Sequence, residues 1–336
     1  MMPMDVEFTE AGIFLPEIEL WLDSTDPCAA TWISHGHSDH ARGCHGVAIG
    51  TPATLRFYRM RLWLGESDQE PQLVSLEFGE SMDWHGARLT AFPASHILGA
   101  AQLLIEYRGE RLAYTGDIKL RPPLCGETTQ SQSCDRLIIE STFGLPIYRL
   151  LTREEGAQRI VNFARACLNE GVVPVFIGYA LGRGQEIVNV LTTAGIVTAV
   201  HGAIAKFIPV YEEYGYQFPG WEPYEAQAIA DKALVVVPAH GSALTASRKN
   251  VRIAYVSGWA ALDNARTRSG AEELIPYSDH ADFDELLALV EQSGAKRIDV
   301  VHGYTAPFAH ILQTRGYQAV APVRAGSRTN VEAAEG

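Results

Sequence analysis

The sequence predicts a mixed α/β protein, and three observations predict it. Residues from about 8 to 142 are strand-rich, with short apolar runs broken by turn residues. From about 150 to 268 strands alternate with helices, the pattern of a small α/β unit with a largely parallel sheet. A dense ligand cluster, His35-Gly36-His37-Ser38-Asp39-His40, follows the apolar run Ala29-Ala30-Thr31-Trp32-Ile33, and ligand-type residues return after residue 269.

The elements follow in order. Residues 88–92, 101–107 and 111–115 read as strands, and Arg108-Gly109-Glu110 is a natural tight turn between the last two. Leu137-Ile138-Ile139 is a short buried strand that runs into Glu140. Thr152 and Glu155 have capping-box spacing, so a helix should run to about Asn169 and stop near Gly171. Residues 172–177 form a strand, Gly182-Arg183-Gly184 a turn, and a helix starts near Gln185. Residues 234–237 and 252–256 are further buried strands. Asp282 and Glu285 open a helix that ends near Gly294, and residues 297–301 form a strand that delivers His302.

Length and composition narrow the function classes. At 336 residues the chain can hold two domains, or one domain with a large insertion. No apolar run approaches the ~20 residues needed to cross a bilayer. Residues 1–10 do not read as a secretory signal. Cys28, Cys44, Cys125, Cys134 and Cys167 are odd in number, scattered and free of a Cys-x-x-Cys pair. That argues against a disulfide framework and fits a reducing cytoplasm, the expected location, with no membrane partner. The formal charge of −13 points away from a general nucleic-acid coater. It leaves room for a nuclease, because bound divalent cations reverse the sign of the field at the site itself.

Four ligand-type side chains in six residues, at the end of an apolar run, are the strongest signal. Imidazole and carboxylate together suit zinc, manganese or iron. The pattern His-x-His-x-Asp-His resembles the signature of the metallo-β-lactamase superfamily. Further ligands should then lie at strand ends. His96 falls between two strands, Asp117 follows a strand directly, and both match the order and spacing of that superfamily. The resemblance implies two divalent metal ions, zinc or manganese. His35, His37 and His96 would hold one, Asp39, His40 and His302 the other, and Asp117 would bridge them.

Four more stretches resemble the β-CASP branch of that superfamily, the nucleases with a second domain inserted into the lactamase-type fold. They are Glu140-Ser141-Thr142-Phe143-Gly144, Ala180-Leu181-Gly182-Arg183-Gly184-Gln185-Glu186, Ser278-Asp279-His280 and Val301-His302-Gly303. Within the branch, Leu15 to Asp23, the compact insertion and His302-Gly303-Tyr304-Thr305 resemble the bacterial ligase-associated DNA exonucleases. The resemblance implies a four-layer αββα sandwich from residues 1–149 and 269–336, with a β-CASP-like α/β domain at 150–268. It implies hydrolysis of DNA phosphodiesters, in single strands and from an end, by metal-bound hydroxide, with a DNA ligase or helicase acting in the same repair pathway. His280 would be the general acid and Glu140 its orienting partner. Asp39 would serve the reaction as a ligand, Ser278 would bind a terminal phosphate and Arg183 would clamp the backbone. Tyr179, Tyr277 or Tyr304 would stack on a base, whereas His45, His85, His201, His240 and His310 read as structural.

Three rival readings remain. An RNA-processing nuclease of the same branch would use the same residues. A thioesterase or lactonase would have no use for His280 or the inserted domain. A non-catalytic scaffold for nucleic acid or a repair partner would tolerate gaps in the ligand set, and no expected ligand is missing here.

Overall fold

The computed structural model describes residues 3–62, 70–225, 230–240 and 250–323. Three sheets carry the chain. The first runs in chain order through β1 (Glu7–Thr9), β2 (Gly12–Leu15), β3 (Leu20–Leu22), β4 (Ala30–Trp32), β5 (Val47–Gly50) and β6 (Gln72–Ser75). The second contains β7 (Ser81–Trp84), β8 (Ala87–Pro93), β9 (Ala101–Tyr107), β10 (Glu110–Tyr114) and β11 (Arg136–Ser141). It is completed by β18 (Arg297–Gly303) and β19 (Gln318–Val320), in the order β19-β18-β11-β10-β9-β8-β7. The last strands of the chain therefore pair beside β11, and the long segment between them leaves the second sheet and returns.

Period-two alternation decides which side chains meet. Leu103 and Ile105 of β9, Leu112 and Tyr114 of β10 and Ile138 of β11 share one apolar cluster with Leu15, Leu22, Trp32 and Ile49 of the first sheet. Their neighbours Leu104, Ala113, Leu137 and Ile139 face the other way. There they join Leu286 and Val290 of helix Phe283–Ser293 and Phe308 and Leu312 of helix Thr305–Thr314. Both faces are covered, which is why these strands read as continuous apolar runs. On the far side of the first sheet, Ile33 and Ala48 pack on Leu55 and Tyr58 of helix Pro52–Arg61. Thr51 caps that helix, accepting the Thr54 N–H at 3.3 Å, and Pro52 stands where no N–H is needed.

The third sheet is wholly parallel, in the order β14 (Trp221–Pro223), β13 (Thr198–Val200), β15 (Ala233–Val236), β12 (Val173–Ile177), β16 (Val251–Val256), β17 (Glu273–Ile275). Its last strand lies a few residues past the expected boundary at 268. Phe176, Val235 and Ala254 on one face meet Ile160, Ala164, Ile187 and Leu191 of the helices Arg153–Asn169 and Arg183–Thr193. The capping boxes expected at Thr152/Glu155 and Asp282/Glu285 are formed, and Gly294 ends its helix in the left-handed region at φ 64°.

This topology collects strand ends. β10, β11 and β18 are mutually parallel, and β8 runs with them because β9 is antiparallel to both β8 and β10. Their carboxyl ends bring His96, Asp117, Glu140 and His302 to one edge, where the loop after β4 supplies His35 to His40.

Candidate metal centre

Four ligand atoms converge. His37 Nδ1 lies 3.1 Å from His35 Nε2 and 3.0 Å from His96 Nε2, and Asp117 Oδ2 is 3.5 Å and 3.6 Å from those two nitrogens. All four atoms lie within 4.8 Å of one another. Three imidazoles and a carboxylate so placed form a cage that fits a divalent cation. Asp39, His40 and His302 border it more loosely. His40 Nε2 is 3.6 Å from Asp117 Oδ1 and 3.8 Å from Asp39 Oδ2, and the His302 ring lies 5.2 Å from the His40 ring. Asp117 thus faces both groups of histidines with different oxygens.

The other nitrogen of each cage histidine has a partner that sets its proton. His96 Nδ1 lies 2.9 Å from the Asp279 carbonyl and His37 Nε2 lies 3.0 Å from the Leu181 carbonyl. A carbonyl only accepts, so each ring donates there and presents a lone pair to the cage. Ser34 Oγ donates to Asp23 Oδ2 at 2.6 Å and so receives the His35 Nδ1 proton at 3.0 Å. His40 Nδ1 meets Asp23 Oδ2 at 2.6 Å. Burial holds His35, His37 and His96 below the usual imidazole range, with neighbouring imidazoles adding to it at His35 and His96. All three are neutral near pH 7, as metal ligation requires. His40 behaves differently. Burial lowers it, but Asp117 and Asp23 outweigh burial and push it up to about 10. Burial raises Asp117 to about 7 against the pull of His40 and His280. A cation at Nε2 of His40 therefore has to displace a proton.

Beside the cage stands His280. Its Nδ1 lies 3.0 Å from both Glu140 oxygens, and its Nε2 is 3.9 Å from Asp117 Oδ2. Burial disfavours the charged ring, yet Glu140 and Asp117 together hold His280 up at about 10. Glu140 is fully buried and is fixed by the Ile118 N–H at 2.7 Å and the Thr142 N–H at 3.2 Å. A protonated imidazole is thus aimed at the cage by an anchored carboxylate. Ser278 lines the same cleft, and its Oγ accepts the His280 backbone N–H at 2.9 Å. The cleft, about 660 Å³, is bounded by His37, Asp39, His40, Asp117, His280 and His302 from below and by Tyr179, Leu181 and Trp259 from the third-sheet unit.

Arg183 requires a correction. The sequence reading placed it on the substrate backbone, but it is 1 % exposed. It is paired with Glu186, lies 3.2 Å from Asp279 Oδ1 and stacks 4.3 Å over the Tyr277 ring. Lys119 sits on the same ring, 4.4 Å away, and Tyr277 donates to Glu186 at 3.2 Å. Arg183 ties the third-sheet unit to the loop that carries His280, because a buried guanidinium needs carboxylates more than it needs a surface. Tyr277 is buried in the same knot and cannot stack on a base. Tyr304 is half-buried, with its hydroxyl 2.9 Å from that of Tyr148, and Tyr179 alone of the three tyrosines is exposed in the cleft.

Two residues escaped the sequence reading. Asp23, buried after β3, accepts from Ser34 N, Ser34 Oγ, His40 Nδ1 and the Tyr114 hydroxyl at 2.6–2.7 Å. Its signal was a lone acid directly after a short apolar strand. Arg61, at the end of its helix, lines the cleft and lies 5.1 Å over the Phe207 ring. It is a cation within reach of a bound anion, where Arg183 is not.

Comparison with known proteins agrees with the motifs. No family model matches the chain. A "Probable DNA ligase" of Opitutus terrae is 32% identical over 322 residues, which is 95% of this chain and 31% of that protein. "Cleavage and polyadenylation specificity factor 73" of Drosophila melanogaster is 30% identical over 53% of this chain and 29% of its own length. "Endoribonuclease ysh-1" of Neurospora crassa is 30% identical over 47% of this chain and 22% of its own. The chain thus spans about a third or less of the length of these relatives. A crystal structure of a protein of unknown function from Enterococcus faecalis superposes with a TM-score of 0.61 at 14% identity, over 88% of this chain and 79% of that one, and shares the fold. The motifs and these relatives together make the chain a member of the β-CASP branch of the metallo-β-lactamase superfamily.

Proposed function

We propose that this protein is a metal-dependent nuclease that hydrolyses phosphodiester bonds of single-stranded DNA from an end. The observation that carries the reading is His280, a proton donor anchored by Glu140 with its free nitrogen 3.9 Å from Asp117. An alkoxide is a poor leaving group, and a protonated imidazole at that place can supply its proton. His35, His37, His96 and Asp117 would hold one divalent cation, and Asp39, His40, His302 and Asp117 a second, zinc on affinity or manganese on availability. Such a pair supplies a water acidified towards neutral pH and neutralises charge on the phosphoryl group. Arg61 would contact a substrate phosphate and Ser278 a terminal one.

In this reading the first two sheets, with their flanking helices, form the four-layer sandwich from residues 1–149 and 269–336. The unit at about 150–268 is the inserted β-CASP-like domain that roofs the cleft. The relative named for DNA ligase supports DNA, because nearly the whole chain is matched inside it. A ligase would join ends that such a nuclease trims, and a helicase would supply single strands. The cytoplasm is the proposed location, and no helix among the described residues is long and apolar enough to cross a membrane. RNA is the second reading, favoured by the relative named as an endoribonuclease.

End-labelled DNA and RNA oligonucleotides of one sequence, incubated with the protein and zinc or manganese, test the proposal. The expected result is progressive shortening of single-stranded DNA that Asp117→Ala abolishes and His280→Ala slows steeply. Digestion of RNA alone, or undiminished digestion by the folded variants, overturns it.

A further inference from the structure

A second cavity lies beside the roof of the cleft. It measures about 450 Å³ and is lined by Ile177, Tyr179, Tyr255, Trp259 and Arg268 among others. Tyr179 and Trp259 border both this cavity and the metal cleft, so the two spaces adjoin at these side chains. Its floor is the carboxyl edge of the third sheet. Ile177 ends β12, Tyr255 pairs with it in register on β16, and Pro238 follows β15. The chain leaves β12 towards β13 on one side of that strand and later returns to β16 on the other. The crevice beyond the carboxyl ends at such a reversal is where open parallel sheets bind ligands.

The lining is specific in its chemistry. Tyr179 is 48% exposed, an unusual exposure for an aromatic ring with no solvent-facing duty in the fold. Trp259 offers a second ring from the 3-10 turn Gly258–Ala261, held against Phe143 with ring centroids 4.9 Å apart. Arg268, on the rim, is exposed and has no ion pair among the described residues. Aromatic faces beside a free guanidinium suit a planar base attached to a phosphate.

We propose that this cavity is a nucleobase subsite, which takes one unstacked base of the strand while the adjoining phosphodiester lies over the metal centre. This rests on the nuclease reading and deepens it. A base inside a duplex cannot reach the cavity without leaving its stack, so the subsite selects single strands. Stacking tolerates every base, because each has a π-face, so the selection is for strandedness and not for sequence.

Binding tests this apart from hydrolysis. Fluorescein-labelled single-stranded octanucleotides with phosphorothioate linkages, which resist cleavage, are titrated with metal-loaded protein and followed by anisotropy. A series carries one abasic site, moved position by position. The wild type should lose about 10-fold in affinity with the abasic site at one position and little elsewhere. Tyr179→Ala should bind the complete strand about 10-fold more weakly and show no further loss at that position. Tyr179→Phe, which keeps the ring, should restore the positional loss, and Arg268→Ala should weaken binding at every position alike. A wild type indifferent to abasic sites, or a Tyr179→Ala protein that keeps the full positional loss, overturns the subsite. Base-dependent binding without any cleavage of ordinary DNA or RNA would keep the subsite and sink the nuclease reading instead.

Discussion

Removing the Asp23 carboxylate should cost the protein both stability and metal affinity. Asp23 receives the Ser34 N–H at 2.7 Å on one oxygen, and on the other the Ser34 hydroxyl, His40 Nδ1 and the Tyr114 hydroxyl. All of these partners are buried. In Asp23→Ala the donors are left without an acceptor, at about 1–3 kcal/mol for each that water cannot reach. Four such donors, at the lower end of that range, set the expected loss at about 4 kcal/mol by urea denaturation of the metal-stripped protein. Asp23→Asn keeps the shape and one acceptor oxygen but gives up the charge that holds the His40 ring. Loss of such an outer partner weakens metal binding by about 10–100-fold. Competition with a chromophoric chelator measures that affinity. An Asp23→Asn protein that holds zinc as tightly as the wild type would refute the argument, as would an Asp23→Ala protein that loses less than about 1 kcal/mol.

Three further outcomes are expected. His280→Ala should slow oligonucleotide cleavage by about 10²–10⁴-fold, yet slow a p-nitrophenyl phosphodiester far less, because that leaving group needs no proton; equal losses on both substrates would remove the general-acid role. Burial holds Lys119 down at about 8, against about 10.4 for a free lysine, so the unfolded chain binds a proton that the native chain has released between those values. Its destabilising effect is full below pH 8 and is relieved as pH rises through that window, by about 3 kcal/mol; the slope should be absent from Lys119→Met, as read by urea denaturation at several pH values. Gly182→Ala puts a Cβ 2.3 Å from Ile97 Cγ2 at φ +89°, so it should cost about 2–4 kcal/mol and loosen zinc binding through the neighbouring His96.

The cage was legible because its ligands sit where sequence signals are strongest. His35, His37, Asp39 and His40 crowd one loop, and His96, Asp117 and His302 each follow or end a recognisable apolar run. The capping boxes were legible for the same reason, since both partners lie within one helical turn. Residues whose meaning comes from distant partners were not. Asp23 looks like any acid after a strand until Tyr114, ninety-one positions on, donates to it. Arg183 sits between glycines, which suggests an exposed turn, and only the folded chain brings Asp279 and Tyr277 over it. The three-residue strands β1, β3 and β4 carry too little periodicity to announce themselves, because pairing with neighbours defines them.

The outer protons of two cage histidines are held by Leu181 and Asp279, backbone carbonyls that lie 144 and 183 positions further along the chain. A chain that ends before residue 181 therefore carries His37 and His96 without the carbonyls that orient them. The orientation of these two rings is complete only once residue 279 has joined the fold. A prematurely terminated product stopping before residue 279 would lack this second anchor, and with it His280 and His302.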